Sequence, residues 1–93
     1  MIRSFKDKNT RSIFERDVVR RFQKNISQRA FVKLIMIDAA ERIEDLRLPP
    51  GNRLEALVGS RKGQHSIRIN DKWRVCFRWE GGDAFDVEIC DYH

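Results

Sequence analysis

"QHSIRINDKWRVCFRWEGGDAFDVEIC", residues 64–90, decides the fold. Apolar side chains recur at every second position: Ile67 and Ile69, then Trp73, Val75, Phe77 and Trp79, then Phe85, Val87 and Ile89. Period two is the signature of strands with one face buried. The runs "QHSIRIN", "KWRVCFRW" and "AFDVEIC" are separated by turn-forming "ND" and "EGGD". A slip of one residue would turn every apolar side chain outward, so the register can be argued. Matching core to core places Ile69 opposite Trp73 and Ile67 opposite Val75. That pairing needs the three-residue loop Asn70-Asp71-Lys72, a common hairpin length. The same rule places Trp79 opposite Phe85, Phe77 by Val87 and Val75 by Ile89.

The other face of the sheet follows. Arg68 lies opposite Arg74, and Arg74 opposite Cys90 with Tyr92 diagonal to it. Arg78 lies opposite Asp86 as an exposed ion pair. Arg68, Arg74 and Tyr92 therefore converge on the face away from the core. Like charges side by side repel. Either both guanidinium groups splay into solvent, or an anion sits between them.

Upstream, "RLEALVG" (residues 53–59) reads as a further strand and "SRKG" as a turn, which completes a four-stranded antiparallel meander. Before it, "LPPGNR" stops a helix, since two prolines and a glycine cannot continue one. That helix is expected over "ISQRAFVKLIMIDAAERIEDL", residues 26–46, with Ser27 as its cap. Within Ala30–Ala40 only Lys33 and Asp38 are polar, so it is expected to be largely buried. A first helix is expected over "TRSIFERDVVRRF", with Thr10 as N-cap and Ile13, Phe14 and Val18 on one side. "MIRSFK" reads as a short N-terminal strand. The order is strand, two helices, four strands. Helices on one face of that sheet make an α+β fold, expected as a single domain over residues 1–93.

The chain of 93 residues is 41% hydrophobic and 35% charged, which suits a globular protein rather than a disordered one. No apolar run approaches the ~18 residues of a membrane span. "MIRSFKDKNT" lacks the apolar stretch of a signal peptide, so a cytoplasmic location is expected. Net charge is +5 and unevenly spread: residues 1–33 hold ten Lys/Arg against three acids, while residues 80–93 hold five acids and no Lys or Arg. Clustered bases suit a polyanion partner, and they equally suit a basic domain without one. Arg16, Arg20, Arg21 and Lys24 are either a solvated face or a grip on RNA phosphates. Cys76 and Cys90 have neither C-x-x-C spacing nor a histidine cluster, so no metal site is expected and both should be free thiols.

The chain closes on "EICDYH", a strand followed by an acid, a phenol and an imidazole. Its length, "MIRSF", "LPPGNRLEALVGSRKGQHSIRINDKWRVCFRW" and the terminal "DYH" resemble the RelE/HigB family of bacterial toxins across essentially the whole sequence. The resemblance implies a RelE-like fold and a metal-independent endoribonuclease, without cofactor, that cuts mRNA in the ribosomal A site. It also implies a helix-turn-helix, HigA-like antitoxin, and operator DNA bound through the toxin–antitoxin complex.

Metal-free RNA cleavage uses the 2′-OH as nucleophile on the adjacent phosphorus. It needs a base near that hydroxyl, an acid near the 5′ leaving oxygen, and cations for the phosphorane charge. Arg74 offers a planar, always-charged fork. His93 titrates near neutral pH and suits acid–base work. Tyr92 can stack on a base or handle a proton. Asp91 can orient His93 or meet the 2′-OH, or, by strand parity with Ile89, cap the sheet edge. Arg53, Arg61, Lys62, Arg68 and Lys72 are the candidate RNA-binding cations. His65 shares parity with Ile67 and reads as a hydrogen-bonded, half-buried histidine. Family members often place a histidine or lysine where this chain has Glu55, Ala56 and Val58, which points to reduced activity or to Glu55 as base. The alternatives are a basic nucleic-acid-binding module without cleavage, and a scaffold that binds only the antitoxin.

Overall fold

The structure is a computed structural model that describes residues 1–91, and at its centre is the antiparallel sheet that the period-two pattern predicts. Strands β1 (Glu55–Ala56), β2 (Gln64–Arg68), β3 (Arg74–Glu80) and β4 (Asp83–Cys90) lie side by side in chain order. Helices α1 (Lys8–Phe14) and α2 (Lys24–Ala39) cover one face. Between the layers, Leu34 and Ile37 of α2 meet Ile67, Val75, Phe77 and Val87 of the sheet, all fully buried.

The register at the β2–β3 end is the one expected. Ile67 pairs with Val75 and Arg68 with Arg74. Val75 pairs with Ile89 and Arg74 with Cys90. The loop between β2 and β3 is closed by its own chemistry: the Asn70 Oδ1 accepts from the backbone N–H groups of Lys72 (2.9 Å) and Trp73 (2.7 Å).

At the other end of the β3–β4 hairpin the expected register fails. Trp79 pairs with Ala84, not with Phe85, and Arg78 pairs with Phe85, not with Asp86. The reason lies in the turn. Gly81 and Gly82 both have positive φ (58° and 82°), the requirement of a two-residue hairpin turn that matches strand twist. This turn sets Glu80 opposite Asp83 and leaves the two strands out of step with the core pattern. A bulge absorbs the mismatch: Asp86 takes φ 53° and the ladder is irregular between Cys76 and Arg78. Ala84 thus fills the core position expected of Phe85. The Phe85 ring lies instead under the Arg78 guanidinium, 5.3 Å away.

"MIRSFK" is not a continuous strand. It runs parallel to β4 through two isolated bridges, Ile2 to Ala84 and Phe5 to Val87. The bulge interrupts it, and there the Ser4 Oγ accepts from the Asp86 N–H (2.8 Å). Further along the same edge the Ile89 N–H donates to the Thr10 Oγ1 (3.1 Å). Thr10 is therefore not the N-cap of α1. The cap is Asp7, whose side chain accepts from the Thr10 N–H, while the Thr10 side chain is buried against β4. Helix α1 also ends earlier than expected, at Phe14, and Val18 is exposed. Helix α2 starts after Gln23 rather than at Ser27, and stops at Ala39. Residues Ile43–Arg47, of which 43–46 were expected as its end, form a separate 3-10 segment. The expectation of a largely buried helix holds for one face only: Ala30, Leu34 and Ile37 are buried, whereas Val32 and Ile35 are exposed. The strand expected over "RLEALVG" shortens to two residues.

Candidate functional site

The site is built from the segment that ends the helical half. Asn52 is fully buried, and its amide nitrogen donates to the carbonyls of Leu46 (3.2 Å) and Leu48 (3.3 Å). Its Oδ1 accepts from the Lys33 ammonium (2.5 Å). This staple fixes the proline-containing connection to α2. The next residue, Arg53, can then adopt a left-handed conformation (φ 45°) that turns its carbonyl toward the sheet. That carbonyl accepts from the Arg74 Nη2 (2.6 Å).

Arg74 is only 7% exposed although it carries a permanent charge. A buried guanidinium needs acceptors for its N–H groups. The Nε donates to the Ser66 Oγ (2.8 Å), and the Nη2 reaches the Ser66 carbonyl (3.4 Å) as well as that of Arg53. The Glu55 carboxylate stands 3.9 Å from the Nη2. The sequence suggested a fork open to a bidentate ligand. In the structure one whole edge of that fork is bound to the protein's own acceptors.

Arg53, Glu55, Arg68, Asn70, Asp71 and Arg74 line a cavity of about 300 Å³. Three of the candidate cations, Arg53, Arg68 and Arg74, thus meet around one space. The cross-strand repulsion of Arg68 and Arg74 is relieved from within the chain. Arg68 pairs with Asp71, and Arg74 faces Glu55. The positive field extends behind the cavity to α2. There burial, then the neighbouring Arg29 and Arg68, push the Lys33 ammonium below its ordinary pKa.

The other candidate cations do not line this cavity. Lys72 lies over the Trp73 ring at 5.0 Å, and Arg21 approaches the same ring at 5.8 Å. Arg61 lies along the outer face of the sheet, bonded to Gln64 (3.1 Å) and Glu88 (3.3 Å). Lys62 is exposed. Asp91 follows directly on Cys90, the cross-strand partner of Arg74, and is exposed. The expectations for Tyr92 and His93 lie outside the described residues. His65 is half-buried and stacked on Phe77 at 6.3 Å, as its parity suggested, but its Nδ1 has no hydrogen-bond partner among the described residues.

Beside Arg74 on the outer face sit both cysteines. The Cys76 thiol is pushed up, first by its hydrogen bond with Cys90 and then by burial. The Cys90 thiol is held down by the same bond, against burial, with help from Arg61 and Arg74. Among the described residues no three His, Cys, Asp or Glu side chains form a metal-binding group. None of the helices is long and apolar enough to cross a membrane, again among the described residues.

Sequence reasoning missed Ser66 and Asn52. Ser66 shares strand parity with Arg68, so its place on the outer face was available in the register. The bond from the Arg74 Nε to its hydroxyl was not. The signal for Asn52 was a polar residue directly after "PPG", where a side chain can satisfy the carbonyls of a turn.

Comparisons with known proteins show what the chain is similar to. The family model described as "RelE-like toxin of type II toxin-antitoxin system HigB" matches residues 3–93. The chain is 42% identical over 90 residues to a protein named Toxin HigB-1 of Vibrio cholerae serotype O1, covering 96% of this chain and 95% of that protein. It is 34% identical over 93 residues, and over the full length of both, to Endoribonuclease HigB of Proteus vulgaris. Among solved structures, the fold matches a chain of the YoeB-YefM complex from Staphylococcus aureus with a TM-score of 0.63 at 16% identity, covering 100% of this chain and 98% of that one. That last likeness establishes the shared α+β fold alone.

Proposed function

The chain belongs to the HigB-like family of RelE-like toxins of type II toxin-antitoxin systems, and on that premise we propose that it is an endoribonuclease that cuts mRNA in the ribosomal A site. The observation that carries this reading is Arg74: a buried, permanently charged guanidinium at the wall of a cavity that Arg53 and Arg68 also line. Cations gathered around one small space suit the phosphate at which the chain is cut.

In the proposed reaction the 2′-oxygen attacks the adjacent phosphorus and the bond to the 5′-oxygen breaks. A cyclic phosphate and a 5′-hydroxyl result, and no metal or cofactor takes part. Arg74 offsets the charge gained by the phosphorane. Arg53 and Arg68 hold the flanking backbone. Arg61, Lys62 and Lys72 act farther out on the RNA. Asp91, Tyr92 and His93 supply the proton transfers and base stacking. The protein acts as one domain in the cytoplasm. Its partners are the ribosome with its mRNA and a helix-turn-helix antitoxin of the HigA kind, and the complex binds its own operator DNA.

Primer extension on mRNA from cells expressing the chain alone tests the reading. Cuts in phase with the reading frame are expected, together with slowed growth. Equal cutting of naked and translated RNA would remove the ribosome from the proposal, and intact mRNA would remove the nuclease.

A further inference from the structure

Resting on the reading that Arg74 meets a phosphate, we propose that Ser66 is a positioning residue for the reaction: its hydroxyl fixes the rotation of the Arg74 guanidinium and so selects the nitrogen presented to the ligand. Ser66 is fully buried in the middle of the sheet, paired with Glu55 on β1 and Cys76 on β3. Arg74 is its diagonal neighbour across the β2–β3 ladder. The Ser66 Oγ accepts from Nε at 2.8 Å, while the carbonyls of Arg53 and Ser66 take Nη2. Among the described residues Nη1 makes no hydrogen bond. The carbonyl contacts converge on a single nitrogen, and a planar group held at one nitrogen can still swing. A second anchor at Nε removes that freedom. Nη1 is then the nitrogen left for a phosphate oxygen, in a direction set before the RNA arrives.

Pre-orientation of this kind acts on rate more than on binding, because the transition state is more sensitive than the ground state to where a charge stands. Arg74 without its Nε acceptor would keep its charge and its place in the sheet. It would lose its angle, and a buried N–H would be left unsatisfied.

The test uses the full chain with Ser66→Ala, Ser66→Thr and Ser66→Val. Threonine and valine have nearly the same shape in a strand and differ in the hydroxyl, so a comparison between them removes packing effects. Two readouts are taken. One is single-turnover mRNA cleavage on programmed ribosomes, followed as a function of toxin concentration. The other is solvent exchange of the Arg74 Nε–H in protein carrying nitrogen-15 arginine, which needs no catalysis. In Ser66→Ala the maximal rate should fall by about tenfold to a hundredfold. The half-saturating concentration should hold within about twofold, as for an interaction made mainly in the transition state. Ser66→Thr should recover most of the rate and Ser66→Val should not. The Nε–H should be protected in wild type and Ser66→Thr and exchange rapidly in the other two. Equal rates for the threonine and valine variants, or a protected Nε–H in Ser66→Ala, overturn the proposal. If the wild-type chain leaves mRNA intact, the nuclease reading fails, and the exchange measurement still decides whether Ser66 orients Arg74. If no Ser66 variant folds, exchange of the wild-type Nε–H decides: rapid exchange means that no such anchor exists.

Discussion

At one end of β3, Arg74 is 7% exposed and bonded to Ser66 and to the Arg53 carbonyl. At the other end, the Arg78 side chain is 38% exposed and bonded to Glu80 (3.0 Å) and Asp86 (3.0 Å). Both are arginines on the outer face of one strand, and both have carboxylates nearby. They differ in what would be lost with them. Around Arg74, buried acceptors depend on the guanidinium, and the guanidinium depends on them. Around Arg78, water can replace every partner. The Arg74 end is held by non-local contacts, from the connection after α2 and from β2. The Arg78 end is set by a local glycine turn and a bulge. A site that needs a fixed geometry belongs at the first end, and the proposed reaction is located there.

The largest effect is expected from removing the last two residues. Deletion of Tyr92 and His93 should lower cleavage by on the order of a thousandfold or more, because both proposed proton-handling groups go at once. Fold and antitoxin binding should survive, since both residues follow the last buried side chains of β4, Ile89 and Cys90. Growth assays, circular dichroism and co-purification with the antitoxin check the three parts. A truncated chain that still cuts at the same positions would make the terminus an ordinary tail. One that fails to fold would make it structural.

Next comes the fixed end itself. Arg74→Ala should cost on the order of a hundredfold in rate. It should also lower the melting temperature, by leaving the Ser66 hydroxyl and the Arg53 carbonyl without their donor. Arg74→Lys should restore part of the rate. A lysine keeps the charge but cannot satisfy acceptors that are spread over two guanidinium nitrogens. A lysine variant with full activity and wild-type stability would show that charge alone matters there.

The two ends also differ in how far they could be read in advance. Around Arg74, alternation of Ile67, Val75 and Ile89 determined the register, because a slip would expose all three. Hence Arg68 beside Arg74 beside Cys90 was legible, and with it the cluster of cations. Toward Trp79, the same alternation was overruled by turn chemistry. Two consecutive glycines impose a two-residue loop, and the core then needs a bulge at Asp86 to recover its parity. "EGGD" was in plain sight, but its priority over the apolar pattern was not. The helices failed at their boundaries for a related reason. Thr10 reads as a cap, yet its hydroxyl serves the edge of β4, a partner 79 residues away. The register puts Ser66 diagonal to Arg74 but does not give the bond from Nε to its hydroxyl, and the Arg53 carbonyl acts through a backbone contact that no spacing rule encodes.

The glycine turn allows the comparison to be broken from the distal side. Gly82→Ala should destabilise the fold by about 1–2 kcal/mol, since an alanine at positive φ is strained. A Cβ at Gly82 would also come 3.3 Å from the Glu41 carbonyl oxygen. The cleavage rate per folded molecule should stay that of wild type. Thermal melts and single-turnover cleavage measured well below the melting temperature separate the two. A rate loss in the folded fraction would mean that the hairpin end and the Arg74 end move together and are not independent regions.

The smallest effect should come from Arg78→Gln. Its partners form a network at the surface: Glu80 and Asp86 accept from it, and the Phe85 ring lies beneath it. Hydrogen bonds with Asp86, resisted by partial desolvation and helped by Glu80, raise the guanidinium pKa further. A group that stays charged at every ordinary pH gives stability no pH dependence through its own titration. Exposed pairs of this kind lose most of their attraction to water and salt, and glutamine keeps much of the aliphatic stem over the ring. The melting temperature should therefore move by no more than about 2 °C, and less at high salt, where the pairs contribute least. Cleavage should be unchanged at every salt concentration tested. The informative comparison is with Arg68→Gln, which removes a cation from the wall of the cavity and should weaken cleavage and flatten its salt dependence. If both variants behave alike, position along the sheet does not distinguish the arginines, and the outer face acts as one uniform basic surface.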